Sequence, residues 1–434
     1  MIIKIHSQNK HLLDVLHKNP NTDFGLYAKP LRNGVVIGNA IDAHNYHVVF
    51  QDTKHSYLPE ESNSIDFQSF CNPLVVLNIL NDFFANQLKS RAQYMDSTIN
   101  WLNATYAAVD NQAVEITVPS FYIHSSWYRN DTFILEKYFS GIKVTPVAGK
   151  VFCLQINAAT VFDAINLLAL TSLLTHVTNE YGMYTWIDDS FALKYARILT
   201  NLEAVPYFVF YLYIKRTVRS AKQFDLLKPI FESYLKEQGF DAELSFYGTH
   251  QERIKFICEQ LEKDISIVDI GCGELLYFKK MMKEGFSAKY HAIDEDDNVL
   301  ALAEHIGRRY DGTQLRLYKA IDECNTSERV NVILTEVIEH NTPEQAKMLV
   351  QQALRYNFHQ IIITTPNVSF NKFYAENLDS RHHDHHFEWT EQEFESFVAD
   401  CIATHQDVSY TLHYLGDKLN NIQPTQAAVL TKIN

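Results

Sequence analysis

The second half of the chain alternates apolar segments with amphipathic ones. From Asp264 onward, short runs rich in branched aliphatic residues are each followed by a segment whose apolar residues have helical spacing. The pattern predicts strands at 266–270, 290–293, 330–334 and 360–364, and helices at 275–284, 298–308, 342–356 and 390–400. Strand–helix alternation is typical of a doubly wound α/β sheet with parallel strands. Two last strands, 409–414 and 427–431, have no helix between them, which favours an antiparallel hairpin at one edge.

The first half has a mixed pattern. Asn72 and Pro73 begin a helix, because proline is favoured at the first helical position. The pattern predicts strands at 2–6, 24–28, 46–51 and 114–118, and helices at 73–89, 161–176, 190–199 and 209–220. We therefore predict an α+β domain over residues 1–240, followed by the α/β domain over 241–434.

Length and composition limit the class of protein. A chain of 434 residues suggests two or three domains, and a net charge of -14 argues against a protein that coats nucleic acid through bulk positive charge. A local site for the end of a nucleic acid stays compatible with that charge. The six cysteines are scattered without a Cys-x-x-Cys pair, which indicates reduced thiols and a cytoplasmic protein. The first ten residues lack the apolar core of a signal peptide, and the longest apolar stretch, 161–174, is too short to span a bilayer.

A glycine-containing loop joins the first strand of the second half to its helix. Gly271 and Gly273 allow the backbone to approach a ligand, and the preceding Asp269 can reach a cationic amino-acid moiety. Leu276 replaces the third glycine of the dinucleotide fingerprint, and so no pyrophosphate needs to be bound. Asp294 ends the next strand, where it can accept hydrogen bonds from both hydroxyls of a ribose.

These features favour S-adenosylmethionine over NAD as the cofactor, and a methyltransferase over a dehydrogenase or a non-catalytic relic of the fold. The predicted cofactor-binding residues are Asp269, Gly271, Gly273, Glu274 and Asp294.

A group of metal-binding residue types follows the strand at 330–334. Glu336, Glu339 and His340 are spaced so that they would share one face of a helix beginning there. Two carboxylates and an imidazole on one face are costly unless a cation joins them. Residues 381–389 contain a run of histidines that is either a solvated loop or the source of a further ligand. Oxygen and imidazole ligands suit Mn(II), Mg(II) or Co(II) better than a structural zinc ion.

A divalent cation next to a methyl donor suggests methyl transfer to a hydroxyl. A Lewis acid lowers the pKa of a hydroxyl group and holds two adjacent oxygens in place. A vicinal diol is therefore the expected substrate, either a small molecule such as a catechol or the terminal 2′,3′-diol of RNA.

The second half resembles the family of 3′-terminal RNA ribose 2′-O-methyltransferases, whose members modify small RNAs or act in bacterial RNA repair. The matching elements are Asp269-x-Gly271-Cys272-Gly273, Glu336-x-x-Glu339-His340, Thr364-Thr365-Pro366-Asn367 and Asp384-His385-His386-Phe387-Glu388-Trp389. The resemblance implies S-adenosylmethionine as cofactor, the 3′ end of RNA as substrate, and Glu336, Glu339, His340 and His385 as catalytic metal ligands. The chain departs from the family pattern at Ser369, where a glutamate is usual, and one substrate contact is lost with it.

The first half resembles the additional domain of the bacterial branch of this family. The likeness lies in Leu16-His17-Lys18-Asn19-Pro20 and the helix at 69–88. It implies binding to a polynucleotide kinase-phosphatase and its ligase, with the methyl group marking repaired RNA. An alternative is an interaction protein of a repair complex whose methyltransferase is ancillary.

Overall fold

A computed structural model describes residues 1–18, 26–31, 34–52, 71–96, 98–101, 104–107, 109–178, 185, 187–246, 248–310, 314–375 and 385–433. The chain forms two compact units, the first through Tyr234 and the second from Leu235 onward, except for a short segment that begins at Ala375. The domain boundary at 240/241 stays a prediction. Among the described helices, none is long and apolar enough to cross a membrane.

The first unit contains an antiparallel seven-stranded sheet with the order β10-β11-β7-β1-β4-β3-β2. Its strands, with two small hairpins, are β1 (Ile2–Ser7), β2 (Leu26–Leu31), β3 (Gly34–Asp42), β4 (Asn45–Asp52), β5 (Thr98–Trp101), β6 (Ala104–Ala107), β7 (Val114–Tyr122), β8 (Tyr128–Arg129), β9 (Thr132–Phe133), β10 (Ile142–Ala148) and β11 (Val151–Ala158). Its helices are Leu12–Val15, Pro73–Phe83, Arg91–Met95, Val161–Val177, Asp189–Thr200, Tyr207–Thr217 and Ala221–Glu237, the last of which continues past Tyr234.

The helix Val161–Val177 is the centre of this unit. Nearly all of its residues are buried, including Asn166, whose side chain donates to the carbonyl oxygens of Gln87 and Phe162. The predicted buried helix over this segment is therefore confirmed. The side chain of Asn72 caps the helix Pro73–Phe83, as its sequence indicates, but that helix ends six residues earlier than the predicted 89. The first two residues of the strand predicted at 24–28 lie outside the described residues.

The second unit contains the predicted doubly wound α/β sheet. The strand order is β15-β14-β13-β16-β17-β20-β18, in which the first five strands are parallel and β20 runs antiparallel to both of its neighbours. The strands of this unit are β12 (Ala242–Glu243), β13 (Ser266–Ile270), β14 (Tyr290–Ile293), β15 (Leu315–Tyr318), β16 (Val330–Thr335), β17 (Phe358–Pro366), β18 (Val408–Leu415), β19 (Lys418–Leu419) and β20 (Thr425–Lys432). Its helices are Gly248–Gln260, Leu276–Lys283, Asp297–Arg308, Pro343–Ala353 and Glu391–Ile402. The fold class and the antiparallel pair at one edge are confirmed.

Successive residues of the central strands face opposite sides of this sheet. Val268 and Val332 pack into one apolar cluster, whereas their neighbours Ile267 and Ile333 pack into another. Both faces are therefore covered, which is why these strands are mostly apolar on both sides rather than alternating between apolar and polar residues. In such sheets, ligands bind at the carboxyl ends of the strands, where the loops after β13, β14, β16 and β17 meet.

Candidate active site and metal cluster

The loop after β13 contains two glycines in the left-handed region. Gly271 and Gly273 have φ of 74° and 47°. A Cβ atom at position 271 would lie only 2.4 Å from Cγ2 of Val337, whereas one at position 273 would meet no atom within 4 Å. Gly271 therefore lets the cofactor loop contact the segment that carries the predicted metal ligands.

Asp269 is a buried carboxylate at the end of β13. Its Oδ2 accepts a hydrogen bond from the hydroxyl of Tyr290 at 2.5 Å, and its Oδ1 has no partner. Burial raises the pKa of Asp269 to about 7, with a further contribution from Asp294 and an opposing one from the Tyr290 hydrogen bond. A cationic group on the ligand would stabilise the ionised form, so the unpartnered oxygen fits the amino-acid moiety of S-adenosylmethionine.

Asp294 follows β14 and bonds to the same loop. Its Oδ2 accepts from the backbone N–H of Gly273 at 3.1 Å, and its Oδ1 accepts from that of Asp296 at 3.1 Å. Glu274, by contrast, is exposed. The structure thus brings Asp269, Gly273 and Asp294 together, and the cofactor contact of Glu274 stays a prediction.

Three of the four predicted metal ligands form a cluster. Ligand atoms of Glu339, His340 and His385 all lie within 4.8 Å of one another. The two imidazole rings are 4.7 Å apart and almost perpendicular. Oε1 of the fully buried Glu339 has no hydrogen-bond partner. Burial, and then the neighbouring Glu336 carboxylate, raise the pKa of Glu339 well above its usual value.

Glu336, the fourth predicted ligand, is not in this cluster. The expectation that Glu336 shares a helical face with Glu339 and His340 is wrong, because Glu336 has a left-handed φ of 56° and a 3-10 turn begins only at Ile338. Oε2 of Glu336 lies 2.8 Å from Nη1 of Arg253, and Oε1 accepts from the hydroxyl of Thr364 at 3.1 Å. Its place in the ligand set stays a prediction.

Polar side chains of the two motifs noted in the sequence support the cluster. The hydroxyl of Thr365 donates to Oε2 of Glu339 at 3.1 Å. Nδ1 of His385 lies 3.0 Å from Oε1 of Glu388, whose Oε2 accepts from the side chain of Asn371 at 2.7 Å. This pairing leaves Nε2 of His385 as the ring atom for a metal. His386 is exposed, and only its backbone N–H reaches Glu339, whose carbonyl oxygen accepts it.

Sequence reasoning did not identify Arg253, Thr365 or Glu388 as site residues. Thr365 and Glu388 lie in the two sequence motifs, but no role was predicted for them. Arg253 lies in a helix that was not predicted. The histidines at 382 and 383 lie outside the described residues. One carboxylate oxygen without a partner, facing two imidazoles, is a donor set that fits a divalent cation.

Comparisons with known proteins identify the family of the chain. The family model of the Hen1 N-terminal domain matches residues 2–236. A chain of a solved structure described as the Pnkp1/Rnl/Hen1 RNA repair complex is 48% identical, with all of both chains covered and a TM-score of 0.88. A second structure of the Pnkp1/Rnl/Hen1 complex gives 48% identity, the same full coverage and a TM-score of 0.86. No curated protein sequence matches the chain. The chain therefore belongs to the Hen1 family.

Proposed function

We propose that the chain methylates the 2′-hydroxyl of the 3′-terminal ribose of RNA at a site where a divalent cation binds beside S-adenosylmethionine. Glu339, His340 and His385 hold the cation, and Glu336 joins them. The cofactor lies against Asp269, Gly271, Gly273, Glu274 and Asp294. Mn(II) and Mg(II) are the preferred ions, with Co(II) as a further candidate, because the ligands are oxygen and imidazole.

The observation that carries the proposal is the contact between the two loops. Gly271 of the cofactor loop approaches Val337, which lies between Glu336 and the cluster residue Glu339. The predicted cofactor loop and the predicted metal ligands therefore follow neighbouring strands, β13 and β16. This arrangement suits a reaction in which one hydroxyl is activated and methylated in place.

Each residue has a role in that reaction. Glu339, His340 and His385 would hold a divalent cation, which would supply Lewis-acid activation of a substrate hydroxyl. Glu388 keeps the proton of His385 on Nδ1, so that Nε2 faces the cluster. The ionised Asp269 orients the amino-acid end of the cofactor. Transfer of the methyl group to the 2′-oxygen would leave S-adenosylhomocysteine, and the proton of the 2′-hydroxyl would pass to solvent or to a histidine of the cluster.

The test is transfer of radiolabelled methyl from S-adenosylmethionine to a short RNA that ends in a 2′,3′-diol, with and without Mn(II). We expect label only with the metal and with both hydroxyls present. Matched RNAs that end in a 2′-deoxy, a 3′-deoxy or a 3′-phosphate nucleotide are the controls. Equal labelling of the 3′-phosphate RNA would contradict metal binding by the diol. Absence of label on any RNA, with labelling of a catechol, would contradict the RNA substrate.

We also propose that the first unit binds a polynucleotide kinase-phosphatase and its ligase, and that the methyl group marks repaired RNA. The support is the full-length similarity to a chain of the Pnkp1/Rnl/Hen1 RNA repair complex. Co-expression of the full chain with the kinase-phosphatase and ligase of the same organism should give a complex that co-elutes in size-exclusion chromatography. Separate elution at micromolar concentration would contradict this partnership. The cytoplasmic location stays a prediction.

A further inference from the structure

The two glutamates of the metal segment differ in what their oxygens contact. Both oxygens of Glu336 have protein donors, Nη1 of Arg253 at 2.8 Å and the hydroxyl of Thr364 at 3.1 Å. Oε1 of Glu339 has no partner. Glu339 can therefore offer an oxygen to a cation without losing a contact, whereas Glu336 must first give one up.

Arg253 is fixed where it meets Glu336. Its side chain is only 12% exposed, and its Nη2 lies 3.1 Å from Nδ1 of His250. A side-chain hydrogen bond also links it to Tyr277. Its Nε is buried without a partner. A guanidinium in such a place needs a carboxylate, because a buried charge without a counter-charge is costly.

A cation that binds the cluster and Arg253 carry charges of the same sign. Both are attracted to Glu336, and Oε2 is the oxygen that Arg253 occupies. Removal of the guanidinium would therefore free one oxygen and also remove a repulsion that acts on the cation.

We propose that Arg253 is a positioning residue that competes with the divalent cation for Oε2 of Glu336, and so makes the metal bind more weakly than its four ligands alone would allow. This inference rests on the proposed function, since it takes the cluster as a metal site. Glu336 is then a reserve ligand that exchanges Arg253 for the cation. This exchange of partners at Glu336 sets the affinity of the site for the metal.

The test is Mn(II) binding to the full chain, followed by the electron paramagnetic resonance signal of free Mn(II). Arg253→Met should bind Mn(II) roughly three- to tenfold more tightly than wild type, as expected for the loss of one screened like charge nearby. Arg308→Met is the matched control, because Arg308 pairs with Glu304 on an exposed helix surface, and it should leave the affinity unchanged. General structural damage at position 253 weakens binding, so tightening is specific to competition. Unchanged or weaker binding by Arg253→Met would overturn the proposal.

A second variant covers the case in which Arg253→Met does not fold. Arg253→Lys keeps the charge and loses the second arm of the guanidinium, and we expect a smaller tightening; unchanged or weaker binding overturns the proposal equally. Failure of the metal site itself gives a different result, in which wild type binds no Mn(II) and His340→Ala changes nothing. Both proposals then fall together. A third result is that wild type binds Mn(II), His340→Ala does not, and neither Arg253 variant binds more tightly. This result contradicts only the competition by Arg253 and leaves the metal site standing.

Discussion

Replacement of Asp269 by asparagine should stabilise the cofactor-free protein at alkaline pH while it abolishes cofactor binding. Asp269 is completely buried, and only one of its carboxylate oxygens has a partner, the hydroxyl of Tyr290. Burial raises its pKa to about 7 from the usual 3.8. The side chain therefore contributes to stability in a pH-dependent way that asparagine removes.

The sign follows from proton binding in the two states. Between pH 3.8 and 7, the unfolded chain carries an ionised Asp269 and the folded chain a protonated one. The free energy of unfolding consequently falls by about 1.4 kcal/mol for each pH unit in this window. Above pH 7 both states are ionised, and the loss stays constant at about 4 kcal/mol, which is roughly three pKa units at 1.36 kcal/mol each. Below pH 3.8 the group contributes no difference.

The assay compares urea unfolding of wild type and Asp269→Asn at pH 4.5, 6 and 8.5, without cofactor. Between pH 4.5 and 7, we expect the free energy of unfolding of wild type to fall relative to that of the variant by up to about 3 kcal/mol. Above pH 7 the difference should stay constant. Calorimetry should show that S-adenosylmethionine binding by wild type weakens as the pH falls below 7, because its ammonium group needs the ionised carboxylate. Tyr290→Phe removes a hydrogen bond that lowers the pKa of Asp269, and so shifts this midpoint upward.

Two outcomes would refute the reasoning. A stability difference between wild type and Asp269→Asn that is the same at pH 4.5 and 8.5 would mean that Asp269 ionises at its ordinary pKa in the folded chain. Cofactor binding by Asp269→Asn at wild-type affinity would mean that this carboxylate does not contact the ligand. Asn331→Ser is a useful control, since it alters another buried polar side chain of the same sheet that does not titrate.

Three further predictions concern the metal segment and the cofactor loop. His385→Ala should lose Mn(II)-dependent methyl transfer and keep S-adenosylmethionine binding, whereas His386→Ala should keep both; equal losses in the two variants would contradict the assignment of His385. Thr365→Val removes the donor to Glu339 and should weaken Mn(II) binding by about 10- to 100-fold. The control is Thr411→Val, at an exposed position. Unchanged affinity in Thr365→Val would show that the hydroxyl does not orient the carboxylate. Gly273→Ala should lower the free energy of unfolding by about 1–2 kcal/mol because of its left-handed backbone. Gly271→Ala should lower the free energy of unfolding by about 1–3 kcal/mol more than Gly273→Ala, because its Cβ meets Val337. Equal losses in urea unfolding would show that the two loops move apart at little energetic cost.

The sheet of the second unit was predictable because its strands are buried on both faces. β13 and β16 consist mostly of apolar residues, and their polar ones, such as Asp269 and Asn331, are buried as well. The predicted bounds of β13 agree with the structure at both ends. Helix ends were less predictable, since they depend on capping contacts and on packing. The four-residue strand Leu315–Tyr318 was missed because its pattern is too short to separate from a loop.

The site was predictable where it depends on local spacing, and not where it depends on the backbone or on distant partners. Glu339 and His340 are adjacent, and His385 joined them only through the family resemblance. Nothing in the residue types indicated that Glu336 adopts a left-handed conformation, which non-glycine residues rarely do. Ile254, Ile257 and Cys258 have the spacing of a buried helix face, and this signal locates the helix of Arg253. It does not say which carboxylate Arg253 meets, because that depends on how the helix packs.

The two unpartnered carboxylate oxygens lie at the ends of adjacent strands, and this placement connects the two halves of the reaction. Oδ1 of Asp269 belongs to β13, and Oε1 of Glu339 follows β16, with which β13 pairs along its whole length. An unsatisfied buried acceptor destabilises the fold unless a donor or a cation reaches it. The proposed ligands both carry positive charge, the ammonium and sulfonium of the cofactor at one oxygen and the metal at the other. Each ligand therefore supplies the partner that one buried oxygen lacks. The burial of Asp269 and Glu339 consequently contributes to the affinity of the site for the cofactor and the metal.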